Sequence, residues 1–368
     1  MGNNTIYVLG NGASMGSKRE PKHFLSRYKM PSSKNFFLDT FYTPKTKRAP
    51  EHYLNMLGMT YEGTSDFLIR AWGIKRKLKG LDVEDWENIN IEDVVTFLDV
   101  GEKMFSRGSN YYHAFQKSKS YLVKFIVLMI WFRSLDQKCE YLEKIFRKIN
   151  PTDTIISFNW DTLADFTLDH LRSIQLDNYL KIMSNDAINT GEYKKKGIFL
   201  KLHGYVNWVV CNNRKCINYK KIKIPQSKKR QKLEVPLNKF DRCSHCNSRL
   251  EHFIIPPVSN KMIIHKNSLV HNLWMLAREK LAGASKIIFI GYSFPSTDFY
   301  VEWLFRQVYF LVDDKRIDFK HEIVVINPDM YKKDSETLRR YKTIFRDYKI
   351  TTFRTLRSYA KFISHFEK

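Results

Sequence analysis

The sequence has no hydrophobic run long enough to cross a bilayer. Its longest, Phe125–Phe132 (FIVLMIWF), is flanked by Lys124 and Arg133 and falls well short of the roughly 20 residues a span requires, so it reads as a buried helix. The first residues, MGNNTIYVLG, lack a basic region followed by a long apolar stretch and a small-residue cleavage site, so no secretory signal is expected and the cytoplasm is the expected location. Internal repeats and low-complexity tracts are also missing. Acidic residues are scarce, 38 against 62 lysines and arginines, which leaves a formal charge of +24. Such a field draws polyanions or acidic proteins and steers a dianionic dinucleotide, although a solvated basic surface without a dedicated partner accounts for it equally. The excess is concentrated. Between Cys211 and Cys246 stand eleven basic residues against Glu234 and Asp241, nine of the chain's net 24 positive charges.

Apolar side chain is plentiful, with 43% hydrophobic and 14% aromatic residues in 368, enough for one main core carrying one or two insertions. Five short β-rich runs each end at a turn residue: Thr5–Leu9, Thr154–Phe158, Ile198–Leu202, Lys286–Ile290 and Glu322–Ile326. Their unbroken apolar character predicts buried parallel strands. Val301, Leu304, Phe305 and Val308 recur at helical spacing, as do Leu269, Leu273 and Leu276, which places amphipathic helices beside the sheet. The expected fold class is therefore α/β, a Rossmann-like doubly wound parallel sheet. Residues 82–150 read as a helical insertion, 211–250 as a basic zinc-ribbon-like insertion and 331–368 as a C-terminal extension. Residues 1–81, 151–210 and 251–330 then carry the core.

Five motifs sit at the strand ends. Gly10-Asn11-Gly12-Ala13-Ser14 follows the first strand; glycines there let the backbone turn sharply and approach a pyrophosphate, and a plain strand-ending turn is the other reading. Asn159 and Asp161 close the second strand and either share the ligand crevice or form an Asx turn with Asp161 as helix cap. Leu202-His203-Gly204, followed by Asn207 and Trp208, offers an imidazole that is either a base near neutral pH or a hydrogen-bonded structural residue. Gly291-Tyr292-Ser293-Phe294-Pro295-Ser296-Thr297-Asp298 presents hydroxyls to a phosphate or ribose, with Thr297 or Asp298 equally suited to capping a helix. Asn327, in Val325-Ile326-Asn327-Pro328, can meet a ribose or adenine edge.

Taken together and in this order, the motifs resemble the sirtuin-like superfamily, and more closely its prokaryotic, defence-associated NAD-hydrolysing branch than its protein deacylases. The resemblance runs from about Ile6 to Pro328. It implies that Gly10, Gly12, Ala13 and Ser14 hold the pyrophosphate of NAD, that Asn159 positions the attacking water, that Asp161 sits near the nicotinamide amide and ribose, and that His203 is the base. Gly291, Ser293 and Asn327 are then placed around the adenosine half, and Asp298 among the cofactor-binding residues. The bond chemistry suits these residues on its own terms: nicotinamide leaves a cationic pyridinium as a neutral molecule, so the site needs no general acid, only a means of delivering water to an oxocarbenium-like ribose.

Four of the five cysteines form two close pairs, Cys211-x4-Cys216 and Cys243-x2-Cys246, twenty-six residues apart, which suits a tetrahedral thiolate zinc site; a disulfide pair is disfavoured by the expected reducing compartment. The same resemblance makes that zinc structural. Lone Cys139 reads as a helix residue. The chain departs from the deacylases in two places. Their Gly-Ile-Pro-Asp-Phe-Arg loop is replaced by Met15–Phe37, and their Phe-Gly-Glu clamp by Ile254-Ile255-Pro256-Pro257 and Lys261. The expected activity is thus an NAD glycohydrolase yielding nicotinamide and ADP-ribose or its cyclic isomer, with depletion of NAD in anti-phage abortive infection as the implied role. The alternatives are an NAD-dependent protein deacylase or ADP-ribosyltransferase, and a non-enzymatic NAD-sensing or ADP-ribose-sensing module. The resemblance further implies a homo-oligomer and an activating partner, such as a hexameric DNA-translocase-type ATPase or an Argonaute-like protein. The basic zinc segment is a possible nucleic-acid contact or a solvated loop, and no membrane association is expected.

Overall fold

The structure, a computed structural model, describes residues 4–15, 18–19, 30–33, 36–37, 89–134, 137–171, 197–223, 242–255, 267–307, 322–346 and 348–365. In chain order they form β1 (Thr5–Leu9), α1 (Asn11–Met15), β2 (Lys18–Arg19), α2 (Ile91–Met104), α3 (Asn110–Ser134), β3 (Gln137–Lys138) and α4 (Glu140–Phe146). Then come β4 (Thr154–Ser157), α5 (Leu163–Leu171), β5 (Ile198–Lys201), β6 (Gly204–Cys211), β7 (Ile222–Lys223), β8 (Leu250–Ile254) and α6 (Ser268–Ala282). The last are β9 (Lys286–Ile290), α7 (Phe299–Arg306), β10 (Glu322–Ile326), α8 (Glu336–Ile344), β11 (Ile350–Phe353) and α9 (Leu356–His365). Two compact units result, one from Met1–Lys29, Arg133–Tyr205 and Lys261–Lys368, the other from Met30–Phe132 and Val206–Asn260.

The first unit is built on a six-stranded sheet in the order β11-β10-β9-β1-β4-β5, every neighbouring pair parallel. The chain winds outward from β1 in both directions, to β4 and β5 on one side and to β9, β10 and β11 on the other. That is the expected doubly wound arrangement, and its switch point lies between β1 and β9, the position where such sheets open a crevice at their carboxyl ends. All five expected strands are present. Ile6, Val8, Ile155, Ile156, Ile288, Val324 and Val325 are fully buried, which explains why the inner strands show continuous rather than alternating apolar runs. The sixth strand, β11, belongs to the segment expected as an extension. It is an edge strand whose sequence ITTF stays half-buried, so it carries no apolar run to betray it. Helix starts follow local chemistry: the side chains of Asn267 and Ser335 accept from the N–H groups of Val270 and Leu338 at 3.1 and 3.0 Å. Val301, Leu304 and Phe305 form the buried face of α7; Val308 lies outside the described residues.

In the second unit, α2 and α3 are joined by Lys119, whose ammonium pairs with Asp99 at 2.7 Å and Glu102 at 2.9 Å. Phe125–Ile130 is buried in this unit, with Phe125 in edge-to-face contact with Phe36, as the flanking charges predict for a core helix. A three-stranded sheet, β7-β6-β8, accompanies these helices, with β6 and β7 antiparallel. The sequence reading did not separate β6 from the Leu-His-Gly motif it follows. Every residue of GYVNWVVC is buried, and Gly204, at φ +79, turns the chain into it. Among the described residues no helix is long and apolar enough to cross a membrane.

Candidate active site

Two glycine-bearing turns meet at the switch point. Gly10 N–H continues the ladder to Ile290 O at 3.0 Å, and Gly12 N–H donates to Gly291 O at 2.9 Å. The backbones are so close that a Cβ on Gly12 would lie 2.7 Å from Gly291 Cα, and one on Gly291 would lie 2.3 Å from Gly12 C. Gly291 also has φ +64, a conformation that disfavours any side chain. Turn-on-turn packing is therefore the immediate reason for glycine at both positions. Ala13 donates its N–H back to Gly10 O at 2.9 Å and buries its methyl in the core.

The second motif is tied to the first. Asn159 Nδ2 donates to Gly10 O at 2.8 Å and to Ser14 Oγ at 3.2 Å. Ser14 Oγ in turn donates to Asp161 Oδ2 at 2.6 Å, and Asp161 Oδ1 accepts from Leu163 N–H at 3.0 Å, capping α5. Both carboxylate oxygens of Asp161 are thus engaged by the protein, while half-buried Asn159 keeps its Oδ1 as an acceptor for a group outside it. Behind the turn, Lys201 Nζ donates to Asp161 O at 2.7 Å, pairs with Asp165 Oδ2 at 2.6 Å and lies 3.6 Å from the Tyr205 ring centroid. Burial raises the Asp165 carboxyl to about 6 and lowers the Lys201 ammonium from its ordinary range, with their mutual attraction opposing both shifts.

The third and fourth motifs form a second network. His203 is buried, with Nε2 3.4 Å from Asp298 Oδ1, and Tyr292 Oη donates to Asp298 Oδ2 at 2.6 Å. The imidazole lies 5.0 Å from the Phe158 ring and 6.3 Å from that of Trp274. Trp160 Nε1 donates to His203 O and Trp274 Nε1 to Leu202 O, both at 3.0 Å, so the backbone carrying the histidine is held from two sides. Tyr292 O accepts from Tyr341 Oη at 2.9 Å and from Asn327 Nδ2 at 3.2 Å; Asn327 Oδ1 accepts from Asp329 N–H at 3.0 Å.

Gly10, Gly12, Ser14, Asn159 and Asp161 therefore come together as one network, and His203 joins Asp298 in another. Asp298, expected among the cofactor-binding residues, stands beside His203. Asn327, expected to face the adenosine half, has its amide engaged by the Gly291–Asp298 turn and by its own 3₁₀ turn. Ser293 is half-buried, and its hydroxyl meets no protein partner among the described residues. From sequence, Lys201, Asp165 and Trp274 carry no role, and Tyr292 and Trp160 stand only as members of their motifs. The one legible signal was a lysine inside the otherwise apolar strand IFLKL.

The four clustered cysteines converge in the second unit. Their sulfurs all lie within 4.8 Å of one another, with Cys211 and Cys246 at 3.6 Å and Cys216 and Cys243 at 3.7 Å. These separations exceed a disulfide bond and match the roughly 3.8 Å edge of a tetrahedron of thiolates about zinc. N–H groups of Cys246 and His245 aim at the Cys243 sulfur and lower its thiol, whereas burial raises the thiols of Cys211 and Cys216. Donor type, number and spacing fit a closed four-thiolate zinc site. Of the basic residues in this segment, Lys228, Lys229, Arg230, Lys232 and Lys239 lie outside the described residues.

The first unit thus defines an α/β protein with a doubly wound parallel sheet and polar networks at the carboxyl ends of β1, β4, β5 and β9. No family model and no curated protein matches the chain. It is similar to several solved structures. One is a Sir2 in complex with an inhibitor, 2'-O-acetyl-ADP-ribose and deacetylated p53 peptide, at 13% identity and TM-score 0.38 over 70% of this chain and 83% of that one. Another, a Sir2 with deacetylated p53 peptide and 3'-O-acetyl ADP-ribose, gives 14% and 0.39 over 85% and 96%. A third, solved to explain sirtuin substrate affinity, gives 14% and 0.35 over 86% and 97%.

Proposed function

We propose that this chain cleaves the bond between nicotinamide and ribose in NAD with water as acceptor. The observation that carries the reading is the pair of groups at the ends of adjacent parallel strands: Asn159 after β4, with its N–H groups fixed on Gly10 and Ser14, and His203 after β5, set against Asp298. The dinucleotide lies across the switch-point crevice, with its pyrophosphate toward the interlocked Gly10–Ser14 and Gly291 turns and the Ser293 hydroxyl on its adenosine side. Asn159 needs no titration to work; with its amide nitrogen held, its Oδ1 accepts a hydrogen bond from water and points the water's lone pair at the anomeric carbon. His203 takes that water's proton, or one from a ribose hydroxyl, as nicotinamide departs, and Asp298 orients the ring and stabilises the imidazolium. Asp161 acts through Ser14 and the start of α5 as a support for Asn159. Zinc, held by Cys211, Cys216, Cys243 and Cys246, keeps its segment folded; four thiolates leave no position for water. Loss of NAD in anti-phage defence is the cellular role that the motif order adds to this reading, with assembly into a homo-oligomer and a protein partner as its controls. Chromatography of NAD incubated with the purified chain, with and without an acylated peptide, tests it: nicotinamide and ADP-ribose form without peptide if the reading holds, whereas the cyclic isomer would mean that adenine and not water is the acceptor. Cleavage only in step with peptide deacylation contradicts it.

A further inference from the structure

Lys201 is the last residue of β5, and its side chain is fully buried. A buried ion pair is a weak source of stability, because desolvating two charges costs about what their attraction returns, and apolar replacements of similar volume are often neutral or stabilising. An apolar pair could not, however, supply a directed donor. The ammonium donates to Asp161 O at 2.7 Å, forms an ion pair with Asp165 Oδ2 at 2.6 Å and lies 3.6 Å from the Tyr205 ring centroid. Asp161 is the residue whose side chain holds Ser14, and Ser14 together with Gly10 holds the Asn159 amide. The Asn159–Asp161 turn is thus gripped in front by the glycine turn and from behind by a lysine on the neighbouring strand.

We propose that Lys201 is a positioning residue for the cleavage reaction: through the Asp161 carbonyl it fixes the turn that aims Asn159, and Asp165 serves to neutralise it. The inference rests on the glycohydrolase reading for its kinetic consequence but not for its structural one.

The test compares Asp165→Asn with Lys201→Met combined with Asp165→Leu, in the full chain. Asp165→Asn leaves the Lys201 donor on Asp161 but strands its charge, so it should lower the melting temperature while kcat for nicotinamide release, measured well below that temperature, stays within about threefold of the parent. The double variant removes both buried charges, so its melting temperature should stay near the parent's. Its kcat should nevertheless fall about tenfold or more while KM for NAD changes little, the signature of a displaced rather than a missing group. Hydrogen exchange measured on peptides covering residues 158–163 should accelerate in the double variant and stay at the parental rate in β9 and β10. A double variant with parental kcat and parental exchange at 158–163 overturns the proposal, as does an Asp165→Asn variant that loses both as severely. Should the double variant fail to fold, Asp165→Asn alone decides by the same two readings. If the parent leaves NAD intact, the glycohydrolase reading fails, and the exchange data still decide whether Lys201 holds the turn.

Discussion

Asp298 Oδ1 lies 3.4 Å from His203 Nε2, and the other oxygen of the same carboxylate receives the Tyr292 hydroxyl at 2.6 Å. A histidine whose ring is set by a carboxylate, itself fixed by a third group, is the arrangement that positions a base. Asp298→Asn should therefore lower kcat about tenfold with little change in KM, whereas a residue that held the adenosine half would raise KM. Asn159→Ala and His203→Ala should each lower nicotinamide release by about a hundredfold or more, with ADP-ribose binding largely retained. Steady-state kinetics and calorimetric binding of ADP-ribose distinguish these outcomes.

Gly12→Val places its Cβ 2.7 Å from Gly291 Cα before any ligand arrives. The substitution should lower the melting temperature as well as weaken binding of NAD and ADP-ribose together. Weakened binding at unchanged stability would instead mean that glycine serves the pyrophosphate alone.

Fresh, reduced protein should contain about one zinc per chain. Cys243→Ser should lower both zinc content and thermal stability without a selective effect on kcat, because a metal enclosed by all four sulfurs would be coupled to folding and closed to water. Metal analysis and a thermal melt, with and without chelator, measure both.

His252, on β8, provides a pH dependence. Burial, reinforced by Lys124, lowers its imidazole to about 4 from the ordinary 6.5. Between those values the unfolded chain binds a proton that the folded chain does not, so this group's contribution is full above pH 6.5 and is lost as pH falls toward 4. Its size is on the order of 3 kcal/mol. His252→Gln should flatten the stability profile across that window in denaturant titrations; an unchanged slope would assign the acid sensitivity to other groups.

How much of this was legible in the sequence depended on burial. Inner strands covered on both faces show as continuous apolar runs, so Thr5–Leu9 and Lys286–Ile290 were read to the residue, while edge strand β11, with Thr351 and Thr352 half-exposed, left no such trace. Strand-end turns were legible because their Gly, Asn and His residues are chemically distinct. Which atoms those residues hold was not. Asn327 and Asp298 sit where a strand-end reading puts them, yet their side chains answer to Tyr292, a residue the sequence reading quoted only within its motif. Lys201 was hidden for the opposite reason: a buried lysine is justified only by partners, and Asp161 and Asp165 stand forty and thirty-six positions away in sequence.

The most direct test of the account is the fate of solvent oxygen. NAD is incubated with the chain in water enriched in oxygen-18, without any acylated peptide, and the products are separated and weighed by mass spectrometry. If Asn159 and His203 deliver water to the anomeric carbon, nicotinamide appears in step with ADP-ribose carrying one heavy oxygen, and the Asn159→Ala chain forms neither at a comparable rate. Intact NAD throughout, or nicotinamide released only as an added acyl-peptide loses its acyl group, would contradict it.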